Sequence, residues 1–201
     1  MISTPYLLRN WLIVYLGNLL GAVATAVLVY FSQQYSFGNG AVGVTALEIA
    51  RSKTSLGFVQ AVTLGMLCNG LVCLAVWLCL GARSMTDKIL AILFPISAFV
   101  AAGFEHSIAN MYFIPIGLFI QTDTMFLTAI GKSVSDYPSL TWTNFVFVNL
   151  LPVTLGNILG GVGLVGCTYW FVYLRPEART ASSLQAMRHE NDPSRALLKT
   201  D

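Results

Sequence analysis

Long apolar stretches separated by short polar clusters dominate this chain. Asp, Glu, Lys and Arg are all missing from Asn10 to Leu47, from Thr54 to Ala82 and from Tyr137 to Leu174. A fourth stretch, Ile89 to Gln121, is interrupted only by Glu105 and His106. A helix crossing a bilayer needs about 20 mostly apolar residues, so each stretch has room for one crossing. The pattern predicts spans at about 7–31, 56–80, 89–121 and 143–174 within a membrane domain covering residues 1–175. Between the first two, Ser32–Ser55 is polar and glycine-rich, then amphipathic around Val42–Ile49, which predicts a short helix lying in the interface. Arg83–Lys88 reads as a tight turn and Thr122–Thr141 as a loop. Residues 176–201 form a mixed-charge, weakly apolar tail expected to be disordered.

The third stretch is too long for one straight crossing, and it contains Pro95, Ala101-Ala102-Gly103 and Pro115. It predicts a helix broken near 101–105, with a second half starting close to Glu105. Non-helical backbone at that depth survives only where protein or a water-filled cavity covers it. A repeat is also visible. Leu16-Gly17-Asn18-Leu19-Leu20-Gly21-Ala22 in the first span echoes Leu155-Gly156-Asn157-Ile158-Leu159-Gly160-Gly161 in the last. In the predicted topology these helices run in opposite directions, as in the inverted repeats of transport proteins. The alternative is two independent small-residue packing faces.

Composition agrees with a lipid solvent: 56% of residues are hydrophobic, 10% are charged and the mean hydropathy is +0.70. A soluble domain carries about a quarter charged residues. The net charge of +2 is too small to imply nucleic acid. With Arg83–Lys88 facing the cytoplasm, that side holds Arg9, Arg83, Lys88, Arg175, Arg179, Arg188, Arg195 and Lys199, against Arg51, Lys53 and Lys132 outside. The positive-inside bias places both termini in the cytoplasm. Ala22-Val23-Ala24 resembles a signal-peptide cleavage site, but the apolar run around it exceeds a signal h-region of about 7–15 residues. Cys68, Cys73, Cys79 and Cys167 lie inside apolar spans without a CxxC pair and read as small hydrophobes.

Glu105-His106 carries the chemistry. A charged side chain near the bilayer centre costs about 2.5–3.5 kcal/mol on insertion scales, so such residues usually face a pathway or a partner. Gly103 permits the chain to turn, which puts His106 in the first turn of the second half-helix. Free N–H groups and the positive dipole end there attract an anion. Ser107 offers a hydroxyl, Asn110 shares the face of His106 at i+4, and the imidazole exchanges protons near physiological pH. The competing reading is a buried Glu105–His106 hydrogen-bonded pair that only locks the break. Mid-span Asn69 needs a partner across helices, with His106 one choice and plain interhelical packing the other. Asn18 and Asn157 read as members of packing motifs. Phe99 reads as a constriction or as core, and Lys53 as an attractor of anions at the outer mouth or a solvated lysine. No HExxH, P-loop or carboxylate cluster supports an enzyme, a metal or a cofactor.

These residues resemble the formate/nitrite transporter family over about Leu7–Arg175. Gly103-Phe104-Glu105-His106-Ser107-Ile108-Ala109-Asn110-Met111 is similar to the family's fifth-helix motif, Gly65–Ala75 to its fourth-helix signature and Asn149–Gly161 to its sixth helix. The likeness is greatest to FocA-type formate channels. The resemblance implies an all-α, aquaporin-like bundle of six helices in an inverted repeat, with a broken fifth helix, assembled as a homopentamer in a bacterial inner membrane. It implies His106 as the central histidine with Asn69 its hydrogen-bond partner, Phe99 and Val72 as the outer constriction and Lys53 as the vestibule lysine. Formate or a similar anion, and protons, would be the cargo. This chain corresponds to the third to sixth helices, so the expectation is an N-terminally shortened member. Nitrite transport, a neutral-solute channel and a non-transporting relic stay open as alternatives.

Overall fold

The computed structural model describes residues 3–175, and the tail expectation for 176–201 lies outside them. The described residues are all-α, with helices apolar enough to cross a membrane. Helix α1 spans Thr4–Phe31 with Pro5 in its first turn, where a missing N–H costs nothing. A 3-10 turn at Gln34–Ser36 leads to α2, Ala41–Thr54. Its buried residues Gly43, Leu47, Ala50 and Thr54 recur at helical spacing. That stripe packs on α5, Ser107–Gln121, so the amphipathicity expected to meet a lipid interface is used inside the protein. Glu48 and Arg51 occupy the opposite, exposed face and pair at 2.8 Å.

Helix α3 runs Phe58–Gly81 and α4 Met85–Ala101. Between them Ser84 and Asp87 form a capping box: Asp87 N–H donates to Ser84 Oγ at 3.1 Å, and Ser84 N–H donates to Asp87 Oδ2 at 3.0 Å. After α5 come the short α6, Thr124–Ala129, and the long α7, Trp142–Leu174. The expected fourth crossing falls on α7, and the third apolar stretch on α4 and α5 together. Helix α7 is not uniform; its turns are widened at Phe145–Leu150, Leu159–Gly166 and Trp170–Leu174. Pro152 supplies a cause for the first, because it lacks the N–H that would close the preceding turn and its ring pushes against that turn's carbonyl.

Three contacts position the site. The core joins α1, α2, α5, α6 and the first half of α7, with Leu47, Ala50, Met111, Ile114, Ile120 and Tyr137 essentially inaccessible. Helices α3 and α7 touch backbone to backbone: a Cβ on Gly156 or Gly160 would overlap the Val62 or Met66 carbonyl oxygen. Only glycine allows that approach, the small-residue packing expected of membrane helices. Helix α1 joins α7 where Tyr15 and Thr154 hydroxyls share a hydrogen bond of 2.7 Å.

Candidate functional site

The site forms where α4 stops and α5 starts. Gly103 has φ +68°, a left-handed conformation that L side chains adopt only under strain. It ends α4 in a Schellman arrangement: Phe104 N–H donates to the Phe99 carbonyl at 3.0 Å and Gly103 N–H to the Val100 carbonyl at 3.1 Å. The chain then runs extended through His106, whose φ and ψ are −116° and 114°, and α5 begins.

Backbone groups freed by the break find partners, as a low-dielectric interior demands. Glu105 N–H donates to the Leu64 carbonyl of α3 at 3.4 Å. Asn157 of α7 reads both sides of the break: its Nδ2 donates to the Glu105 carbonyl at 3.0 Å, and its Oδ1 accepts from Ser107 N–H at 2.9 Å. The other Asn157 N–H donates to the Gly65 carbonyl at 2.9 Å. His106 Nδ1 accepts from Ala109 N–H at 3.3 Å and so caps α5. An accepting Nδ1 leaves Nε2 to carry the proton of the neutral ring.

Beneath the histidine lies a buried polar cluster. Glu105 is 4% exposed, and three donors converge on its carboxylate. Lys53 Nζ donates to Oε1 at 2.7 Å, while Asn110 Nδ2 and Asn149 Nδ2 donate to Oε2 at 2.6 and 3.0 Å. A carboxylate in such a place is tolerable only when paired and hydrogen-bonded, and this one is both. Lys53 comes from the last turn of α2, Asn110 from α5 and Asn149 from α7, so one carboxylate gathers three helices.

Several expectations change. Glu105 does not pair with His106; its partners are Lys53, Asn110 and Asn149. Lys53 is not a solvated lysine of the outer mouth, since its side chain is 15% exposed and its ammonium turns inward to a buried carboxylate. Asn110 serves Glu105 and Asn149 rather than His106. Asn69 donates to the Asn157 carbonyl at 2.6 Å, not to His106, because the close α3–α7 contact brings that carbonyl within reach. Asn157 does far more than pack, whereas Asn18 is exposed and donates only to the Val14 carbonyl of its own helix. Ser107 contributes its N–H to the Asn157 bond. Phe99 stacks on the half-buried His106 with ring centroids 6.0 Å apart and planes 26° apart. Val72 lies one turn from Asn69 on α3, half-buried. Asn149 was missed in the sequence. Its signal was an amide within an apolar span that also holds Asn144 and Asn157, three residues before Pro152.

The sequence profile described as "Formate/nitrite transporter" matches residues 1–171. The chain belongs to the formate/nitrite transporter family. Among curated relatives, the formate channel FocA of Escherichia coli strain K12 is 47% identical over 176 residues, covering 87% of this chain and 62% of that protein. The formate channel FocA of Haemophilus influenzae is 41% identical over 167 residues, covering 82% and 59%. The chain thus spans about three-fifths of the length of these family members. Among solved structures, a pentameric formate channel with formate bound superposes with a TM-score of 0.81 at 42% identity, covering 86% of this chain and 69% of that one. An ion channel of the same family superposes at 0.67 with 34% identity, covering 85% and 61%. The family comprises channels and transporters, and the fold is an all-α transmembrane one.

Proposed function

We propose that this chain carries the central part of a channel for formate and similar small monovalent anions, working as a homopentamer in a bacterial inner membrane. The observation that carries the reading is the His106 ring: half-buried at the helix break, tied down through Nδ1, with Nε2–H engaged by no hydrogen bond among the described residues. In this reading α4 and α5 together make one crossing, residues 1–175 form the channel domain and both termini are cytoplasmic. The α5 N-terminus draws an anion toward the break. There the Nε2–H of the neutral ring donates a hydrogen bond to the anion and keeps its proton, and formate that has taken a proton from water leaves as the neutral acid. Lys53 and Glu105 neutralise each other beside this point and keep the break rigid. Phe99 and Val72 form the apolar constriction beside it, and Asn69 ties α3 to α7 along the route.

The test is uptake of 13C-formate into proteoliposomes across a pH series. His106→Asn preserves an N-capping side chain while removing the titrating ring. The expected result is loss of at least tenfold in uptake or loss of its pH response, with the protein still folded. Unchanged uptake at every pH would remove His106 from the route. Nitrite offered as a competitor establishes which anion is preferred.

A further inference from the structure

We infer that Asn149 is a positioning residue of the conduction site, fixing the Lys53–Glu105 ion pair from the α7 side; the inference rests on the channel reading above. The Asn149 side chain is fully buried, and each of its hydrogen-bonding groups is used. Its Nδ2 donates to the Lys53 carbonyl at 3.0 Å and to Glu105 Oε2 at 3.0 Å, and its Oδ1 accepts from Asn110 Nδ2 at 2.8 Å. One amide therefore grips the main chain of the lysine and the carboxylate its ammonium meets. The orientation is forced: turned over, the amide would set its oxygen against a carboxylate and a carbonyl, acceptor against acceptor. The residue reaches this place from the widened turn Phe145–Leu150, where the register of α7 is shifted ahead of Pro152. Widened turns of this kind are frequent at functional sites.

The consequence is chemical. Glu105 faces Lys53 from α2, Asn110 from α5, Asn149 from α7 and the buried Cys68 from α3. Asparagine at this position adds a donor without adding charge. An aspartate there has the same shape, yet it places a second carboxylate about 3 Å from the first, and such pairs share a proton instead of ionising together. With that proton bound, the introduced carboxyl regains one donor, toward Glu105, and the clamp closes in part, because a single O–H cannot also serve the Lys53 carbonyl. Without it, the two carboxylates repel and neither acceptor has a donor from this position.

Formate uptake relative to wild type, followed across pH in proteoliposomes, separates positioning from packing. Asn149→Leu keeps the branching at Cγ, adds bulk and removes the donors; uptake is expected to fall about tenfold or more at every pH, since a buried charged acceptor is left short of a bond. Asn149→Asp is expected to come nearest to wild type in acid and to fall behind progressively as pH rises. Infrared spectra of the same samples supply a readout independent of transport: a protonated-carboxyl band present in Asn149→Asp, absent in wild type and abolished when Glu105→Gln is added. Melting temperatures over the pH series cover a variant that does not assemble at neutral pH, with the deficit to wild type closing in acid. A variant-to-wild-type ratio that is flat with pH in Asn149→Asp, together with no such band, overturns the inference. Failure of wild type itself to carry formate, with the band present, defeats the channel reading and leaves the Asn149 clamp standing.

Discussion

The motif Leu-Gly-Asn-x-Leu-Gly occurs in α1 and again in α7, and the two copies live in opposite surroundings. In α7, Gly156 and Gly160 touch the α3 backbone, and Asn157 is buried with bonds to Gly65, Glu105 and Ser107. In α1, nothing among the described residues outside that helix lies within 4 Å of a Cβ position at Gly17 or Gly21, and Asn18 donates to Val14 of its own helix. Identical spelling therefore meets different surroundings within residues 3–175. The copy in α7 matters because a broken helix lies against it and presents two backbone groups that water cannot reach. Asparagine suits that place because one side chain both donates and accepts.

The largest expected effect comes from exchanging the two asparagines for leucine. Asn157→Leu strands the Glu105 and Gly65 carbonyls and the Ser107 N–H, and is expected to cost about 3–5 kcal/mol in denaturant unfolding in detergent. Asn18→Leu exposes nothing buried and is expected to stay within about 0.5 kcal/mol. Equal losses would mean that the two asparagines do the same work. The flanking glycines are expected to differ in the same direction. Gly156→Ala or Gly160→Ala forces a methyl into a carbonyl oxygen and is expected to cost about 1–3 kcal/mol. Gly17→Ala and Gly21→Ala meet open space and are expected to be neutral or stabilising by up to about 1 kcal/mol, measured the same way.

Much of this layout was legible in one dimension. The charge-free stretches mark where the helices lie, and a Gly-x-Glu-His string inside one of them marks the break. What sequence could not supply was who meets Glu105. Lys53 and Asn149 lie 52 and 44 positions away, and their meeting depends on α2 packing on α5 and on a widened turn in α7. Histidine was the nearest polar neighbour in the string, but an extended N-cap residue turns its ring toward the helix start rather than toward the preceding carboxylate. Of the two readings of Asn69, the bond across helices is the one seen, and its partner was hidden for the same reason: glycine-mediated helix contact, invisible along the chain, brings the Asn157 carbonyl to it.

The smallest effect lies at the corner where Tyr35 meets Asp123, away from both copies, and serves as their control. Asp123 caps α6, and the Phe126 N–H, then the Tyr35 hydroxyl, hold its carboxyl below the usual carboxylate range. A depressed carboxylate stabilises above its unfolded pKa, near 3.9, and that stability is lost as pH falls through the lower folded value. Thermal unfolding of wild type is expected to weaken slightly more than that of Asp123→Asn as pH falls below about 4. The motif variants should leave this acid response unchanged.

In the proposed channel His106 meets a small anion at the break, with Nδ1 capping α5 and Nε2 carrying the proton. Nitrogen-15 NMR of histidine-labelled protein in bilayers tests it directly, with His189→Gln leaving His106 as the single histidine. The account predicts an unprotonated Nδ1, a protonated Nε2 and a shift of the Nε2 resonance that follows formate concentration and saturates. A proton on Nδ1, or an Nε2 signal indifferent to formate, would contradict it.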